Sequence, residues 1–272
     1  MAKPKQSELC RALAIEEFEQ SLFPGGPVLD NTWLGIYQVL LWWASTDDPN
    51  VTVPHIIDAD KFKHPRKSSS IKPTLWRRRA EDVATYLSQQ LEMTPSDLPQ
   101  YFDRLMRTPE YLGAQRQNPL GIAFAALVKH VIEKYHASTV RWETEVKAST
   151  IFPGIQLPGR SDTASIDVIG FDMQAVPVAL ISSKYSLRHD RVADITNECP
   201  IYKAASNRFR RPLPYYVVTA EFDPARLSKI IDDPCVDAVV HVHKALITEV
   251  LGLNGRMKGL VDLTDFVRNY LP

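Results

Sequence analysis

The stretch RSDTASIDVIGFDMQAVPVALISSKYSLRHDRVADITNECP, residues 160–200, carries the strongest pattern in the chain. Two short apolar runs, one opening at Ser165 and one closing at Lys184, flank the turn-forming residues 172–175 and read as a pair of strands. Asp167 is an acid set inside the first run, and Lys184 ends the second, seventeen residues later. A hairpin at 172–175 would bring the two side by side at one edge of a sheet. Glu198, on the helical stretch that follows, can return to the same edge. Two carboxylates and a lysine can hold a divalent cation, position water and neutralise developing charge, as phosphodiester hydrolysis requires. Taken alone, an acid followed by Ser182-x-Lys184 is a common accident, and an edge-strand aspartate beside a snorkelling lysine is the simpler reading.

Arg188-His189-Asp190-Arg191 shifts that balance. An arginine fork matches O6 and N7 of guanine, and an aspartate accepts from the N4 amino group of cytosine. Two arginines and an aspartate within one turn therefore form a reader for adjacent G and C bases, directly after the strand that carries Lys184. Asp190 as a helix N-cap would account for the acid but not for both arginines.

Working outward, residues 140–146, 165–172, 176–185, 215–219 and 238–243 read as strands, with helices over 190–207 and 224–231 between them. This order predicts an α/β core with a mixed sheet flanked by helices, over residues 119–245. Residues 1–118 read as a mostly helical region, with helices over 7–21, 33–45, 75–91 and 99–107. A further helix over 120–137 opens the core, and a helical tail spans 244–251 and 260–270. The whole reads as a single domain.

The 272 residues hold 32 basic and 32 acidic side chains, a zero net charge that conceals segregation. Residues 61–79 contain eight Lys/Arg and no acid, and Lys203, Arg208, Arg210 and Arg211 form a second basic stretch. Either can grip a phosphate backbone or simply face water. No apolar run approaches a membrane span, and the N-terminus lacks the apolar core of a signal peptide. Cys10, Cys199 and Cys235 are widely spaced and odd in number, which predicts reduced thiols and a cytoplasmic protein, with Cys199 a small buried residue on its helix. His241 and His243 alternate on a strand and read as structural.

Residues 120–245 resemble the type II restriction endonucleases of the PD-(D/E)XK fold that recognise a CCGG core. Ser182-x-Lys184 is similar to the family's serine variant of the (D/E)XK motif. Arg188, Asp190 and Arg191, at four, six and seven positions past the lysine, are similar to its R-x-D-R reading element. Glu198, fourteen past the lysine, stands where the displaced acid does, and Asp167 where the strand aspartate does. Ile166 replaces the motif's proline, and Asp167 lies nearer the lysine than in some members. The resemblance implies a restriction-endonuclease-like core and a homodimer on double-stranded DNA that cuts a palindrome to leave 5′ overhangs, with a cognate DNA methyltransferase as functional partner. Asp167 and Glu198 would hold Mg2+, Lys184 would assist the attacking water, and Arg188, Asp190 and Arg191 would read the bases. Gln115 or Gln117 would reach the flanking bases, unless they belong to a polar loop, and Lys61, Lys63, Arg66, Lys67 and His189 are further candidate DNA contacts. The family's upstream glutamate has three candidates here, Glu133, Glu143 and Glu145. With 24% charged residues and 20 prolines, the composition favours an ACCGGT target over the WCCGGW of a heat-loving relative. A repair or junction-resolving nuclease of the same fold, and a DNA-binding protein with a degenerate core, are the competing readings.

Overall fold

The computed structural model describes residues 6–21, 23, 25–45, 82–83, 85–86, 89–90, 114–159, 164–187, 189–253, 255 and 257–272. The basic run with Lys61, Lys63, Arg66 and Lys67, the predicted helix 99–107 and Arg188 lie outside them, as do the side chains of Gln115, Gln117, His189 and Asp190. The chain divides into two compact units, one formed by Met1–Leu127 with Ala245–Gly252, the other by Val128–Lys244 with Leu253–Pro272.

The first unit contains helices α1 (Gln6–Glu19) and α2 (Thr32–Ser45). Cys10, Ala14 and Phe18 recur every four residues on α1 and are fully buried, as are Ile36 and Leu40 of α2. Helix α3 (Ala114–Tyr135) begins six residues earlier than the apolar periodicity predicts, so Gln115 and Gln117 lie in its first turns rather than in a loop.

The second unit is built on a six-stranded mixed sheet of β1 (Arg141–Lys147), β2 (Ser165–Phe171), β3 (Pro177–Lys184), β4 (Tyr215–Thr219), β5 (Ala238–His241) and β6 (Leu260–Asp262), in that spatial order. The first three strands are antiparallel and the remainder run parallel to β3. Parallel neighbours need a crossover, and helices α4 (His189–Ser206) and α5 (Pro224–Ile231) supply those from β3 to β4 and from β4 to β5. β4 and β5 are buried along their whole length, which explains why both are apolar up to their last residues, Thr219 and His241.

Local chemistry fixes the β2–β3 hairpin. The Asp172 carboxylate accepts from the N–H groups of Gln174 at 3.0 Å and Val176 at 2.9 Å, while Ala175 takes a left-handed φ of 58°. These two hydrogen bonds and the Arg211 guanidinium hold the Asp172 carboxyl below its usual value. Arg211 pairs with Asp172 at 2.9 Å and donates to the carbonyls of Val176 and Pro177. Gly170 of β2 lies under Trp142, whose ring atoms would stand 2.9 Å from an added Cβ.

Two predicted elements need correction. Residues 260–262 are a strand, not the start of a helix; helix α6 (Leu263–Asn269) begins after them, with Asp262 as its N-cap, accepting from Thr264 N–H at 2.9 Å. Cys199 and Cys235 form a disulfide rather than remaining reduced, tying α4 to the turn before β5. The packing of α4 and α5 beside the sheet brings together two positions 36 residues apart, a proximity that linear spacing cannot reveal. The pairing also removes the cysteine argument for a reducing compartment. No helix among the described residues is long and apolar enough to cross a membrane.

Candidate active site

The β2–β3 register pairs Val168 with Ile181, so the next pair along is Asp167 across from Ser182. Both side chains, with that of Lys184, therefore rise from the same face of the sheet. Asp167 Oδ2 accepts from Ser183 N–H at 2.9 Å and from Ser182 Oγ at 3.4 Å, and it forms an ion pair with Lys184 Nζ. The pair is partly buried, with side-chain exposures of 25% for Asp167 and 15% for Lys184. All three donors meet one oxygen, Oδ2. A lysine at the end of a strand is thus pinned by an acid on its neighbour, which is the juxtaposition the hairpin predicts.

These residues line a cleft that also contains Glu198, Tyr202 and Tyr215. Glu198 and Tyr202 stand one helical turn apart on α4 and share a face of it. Tyr215, at the start of β4, sits beside Leu180 in the parallel register and stacks on Tyr202 with ring centroids 6.1 Å apart. Its phenol is buried, and burial, followed by the Glu198 charge, holds its proton well above the usual tyrosine value. The neighbouring Ser182 hydroxyl opposes that shift, and the Asp167 charge adds to it. The cleft therefore joins two carboxylates, one ammonium group and a neutral buried phenol. The tyrosines are site residues the linear pattern does not single out; the only hint of Tyr202 is its position four past Glu198.

Asp167, Ser182, Lys184 and Glu198 are thus brought together. Asp190 lies inside the first turn of α4, which starts at His189, and not at a capping position before it. Arg191, on the next residue, pairs with Asp194 at 3.3 Å. Of the three upstream acids, Glu133 is on α3 and pairs with Lys129 at 2.6 Å, and Glu143 pairs with Arg141. Glu145 holds the β1 position across from Asp167, where the register passes from Thr144 to Val146; its φ is 54°, a left-handed value for a non-glycine residue.

The second basic stretch is largely engaged within the protein. Lys203 pairs with Asp237 at 2.8 Å, Arg211 clamps the hairpin, and Arg208 lies over the rings of Phe152 and Phe209. His241 is buried on β5, with Nε2 against the Glu221 carbonyl at 3.2 Å and Nδ1 accepting from His243 N–H at 3.1 Å. Burial lowers the pKa of each ring to about 4, so both are neutral near pH 7.

Among the described residues no group of three or more His, Cys, Asp or Glu is placed to hold a metal ion. Mg2+ does not require such a cage: it keeps several waters and binds through one or two carboxylates together with substrate phosphates. Asp167 and Glu198, hard oxygen donors on one cleft, suit that mode. No protein-family model matches this chain, and no curated protein is significantly similar to it.

Proposed function

We propose that this protein is a Mg2+-dependent, site-specific DNA endonuclease of the PD-(D/E)XK fold. It acts as a homodimer on a palindrome with a CCGG core, such as ACCGGT, to leave 5′ overhangs, beside a cognate methyltransferase. The observation that carries this reading is the Asp167–Lys184 pair on adjacent strands, with Ser182 between them and Glu198 in the same cleft. The mixed sheet flanked by helices supports the fold assignment.

In this reading Asp167 and Glu198 hold the cation, which supplies charge neutralisation at the scissile phosphate and a more acidic attacking water. Lys184 orients that water and counters charge building on the phosphoryl oxygens. The attacking water gives up a proton as its oxygen bonds to phosphorus, one P–O bond breaks, and the departing sugar oxygen takes up a proton, so that one water is consumed for each bond cut. Ser182 and the Ser183 amide fix the rotamer of Asp167. Arg188 and Arg191 take the two guanines and Asp190 the cytosine amino groups in the major groove. Arg191 exchanges Asp194 for guanine when DNA binds.

Digestion of a long DNA of known sequence with Mg2+, followed by sequencing of the fragment ends, tests the reading. Discrete ends inside a CCGG-containing palindrome are expected. Random ends would point to another nuclease of this fold, and binding to CCGG duplexes without cutting would point to a degenerate core.

A further inference from the structure

Only residues 185–188 separate Lys184 from the first residue of α4, so whatever holds this connection sets the aim of the proposed reading segment relative to the proposed cutting site. Tyr185, Ser186 and Leu187 are all buried. Their anchor comes from a distant part of the chain. Glu221, just past the end of β4, is 1% exposed, and its Oε2 accepts from Leu187 N–H at 2.7 Å and from Ser186 Oγ at 3.3 Å. The same oxygen meets Arg226 Nη1 at 3.3 Å, while Oε1 accepts from the N–H groups of Phe222 at 2.9 Å and Asp223 at 2.8 Å. The backbone of Glu221 is fixed as well: its N–H donates to Thr219 Oγ1 at 3.1 Å and its carbonyl accepts from His241.

β3 and β4 are parallel and pair Lys184 with Thr219, so their ends lie side by side, and the carboxylate spans the gap between the two exits. Burial raises the Glu221 pKa, with Asp223 acting in the same direction; Arg226 and the amides of Asp223 and Leu187 oppose it. The amides and the guanidinium can only donate, so they are satisfied by the ionised form. A buried carboxylate that receives five donors is costly to perturb and rigid in its aim. Leu187, held by the shortest of these bonds, is the residue immediately before Arg188.

We infer that Glu221 is a positioning residue for sequence discrimination: it locks the Lys184-to-α4 connection, so that Arg188, Asp190 and Arg191 meet the bases in register with the scissile phosphate. This rests on the endonuclease reading above. Glu221 touches neither the DNA nor the reacting atoms and acts through the backbone of residues 186–187.

The test compares wild type, Glu221→Gln and Ser186→Ala in full-length protein with Mg2+. The readout is the ratio of kcat/KM on a CCGG palindrome to that on duplexes with one core base pair changed, alongside the thermal midpoint. Outer hydrogen-bond partners of metal ligands cost about 10- to 100-fold when mutated, and by analogy Glu221→Gln is expected to lower the discrimination ratio by that order. Ser186→Ala, which deletes one neutral donor and leaves the carboxylate in place, lowers the ratio less and decides the matter should Glu221→Gln fail to fold. A merely structural glutamate would lower the melting temperature and leave the ratio unchanged, and that result overturns the inference. A wild type without preference for CCGG overturns the endonuclease reading itself, an outcome visible before any variant is compared.

Discussion

Lys184 and Asp167 meet over a single carboxylate oxygen, and the lysine is the more deeply buried of the two. Lys184→Ala removes the ammonium group but leaves Asp167 its bonds from Ser183 and Ser182. The strand pair keeps its register, because that register is set by backbone bonds and by the Asp172 turn. The variant should therefore fold, bind CCGG duplexes with wild-type preference and lose cleavage by at least about 100-fold, the low end of what a positioned proton-transfer or charge-stabilising group contributes. A cleavage time course paired with a gel-shift titration measures both; unchanged cutting would remove Lys184 from the chemistry. This pair was legible in the sequence because hairpin strands bring near neighbours together by a fixed period. Glu221 was not: its partners Ser186 and Leu187 lie 35 and 34 residues away, across a helical crossover, and nothing in the local pattern marks a buried acceptor. Tyr215 was hidden for the same reason, as one aromatic in an apolar strand.

At the scale of elements, α4 carries Glu198, Arg191 and Cys199, and the disulfide to Cys235 fastens it to the turn that leads into β5. Closing a 36-residue loop should contribute about 3–4 kcal/mol through the entropy of the unfolded chain. Reduction, or Cys235→Ser, should lower the denaturation free energy by about that amount, since the strands do not depend on the bond. Urea titrations with and without reductant measure it, and coincident curves would show that the bridge contributes nothing. Elements with strong local chemistry were legible: β4 and α5 match their predicted spans residue for residue, the latter because Asp223 caps it and Pro224 opens it. The three-residue β6 was absorbed into the apparent periodicity of α6, because Leu260 and Val261 fit a helical stripe as well as a strand. Its strand character comes from pairing with β5, a contact with no local signature. The disulfide belongs to the same class, a product of packing rather than of spacing.

For the molecule as a whole, a DNA-binding reading must explain how a chain with 32 basic and 32 acidic residues gathers enough positive charge. Lys203, Arg208 and Arg211 are committed to an acid, to aromatic rings and to the hairpin turn, which leaves the second basic stretch a small share of any phosphate contact. The run over residues 61–79, eight cations without an acid, is then the main source. Each phosphate neutralised releases condensed counterions, so log Kobs falls with log salt at a slope of about −0.9 per contact. Replacing Lys61, Lys63, Arg66 and Lys67 with alanine should make that slope shallower by up to about 3.6 and weaken cognate and non-cognate duplexes alike. Arg188→Ala should do the reverse, losing about 1–3 kcal/mol of preference for CCGG and altering the slope little. Fluorescence anisotropy titrations of both duplexes across a salt series separate the two contributions. A quadruple variant with the wild-type slope would move the phosphate grip away from residues 61–67. A quadruple variant that lost discrimination while keeping the slope would make this run, and not the turn after Lys184, the part of the chain that reads the bases.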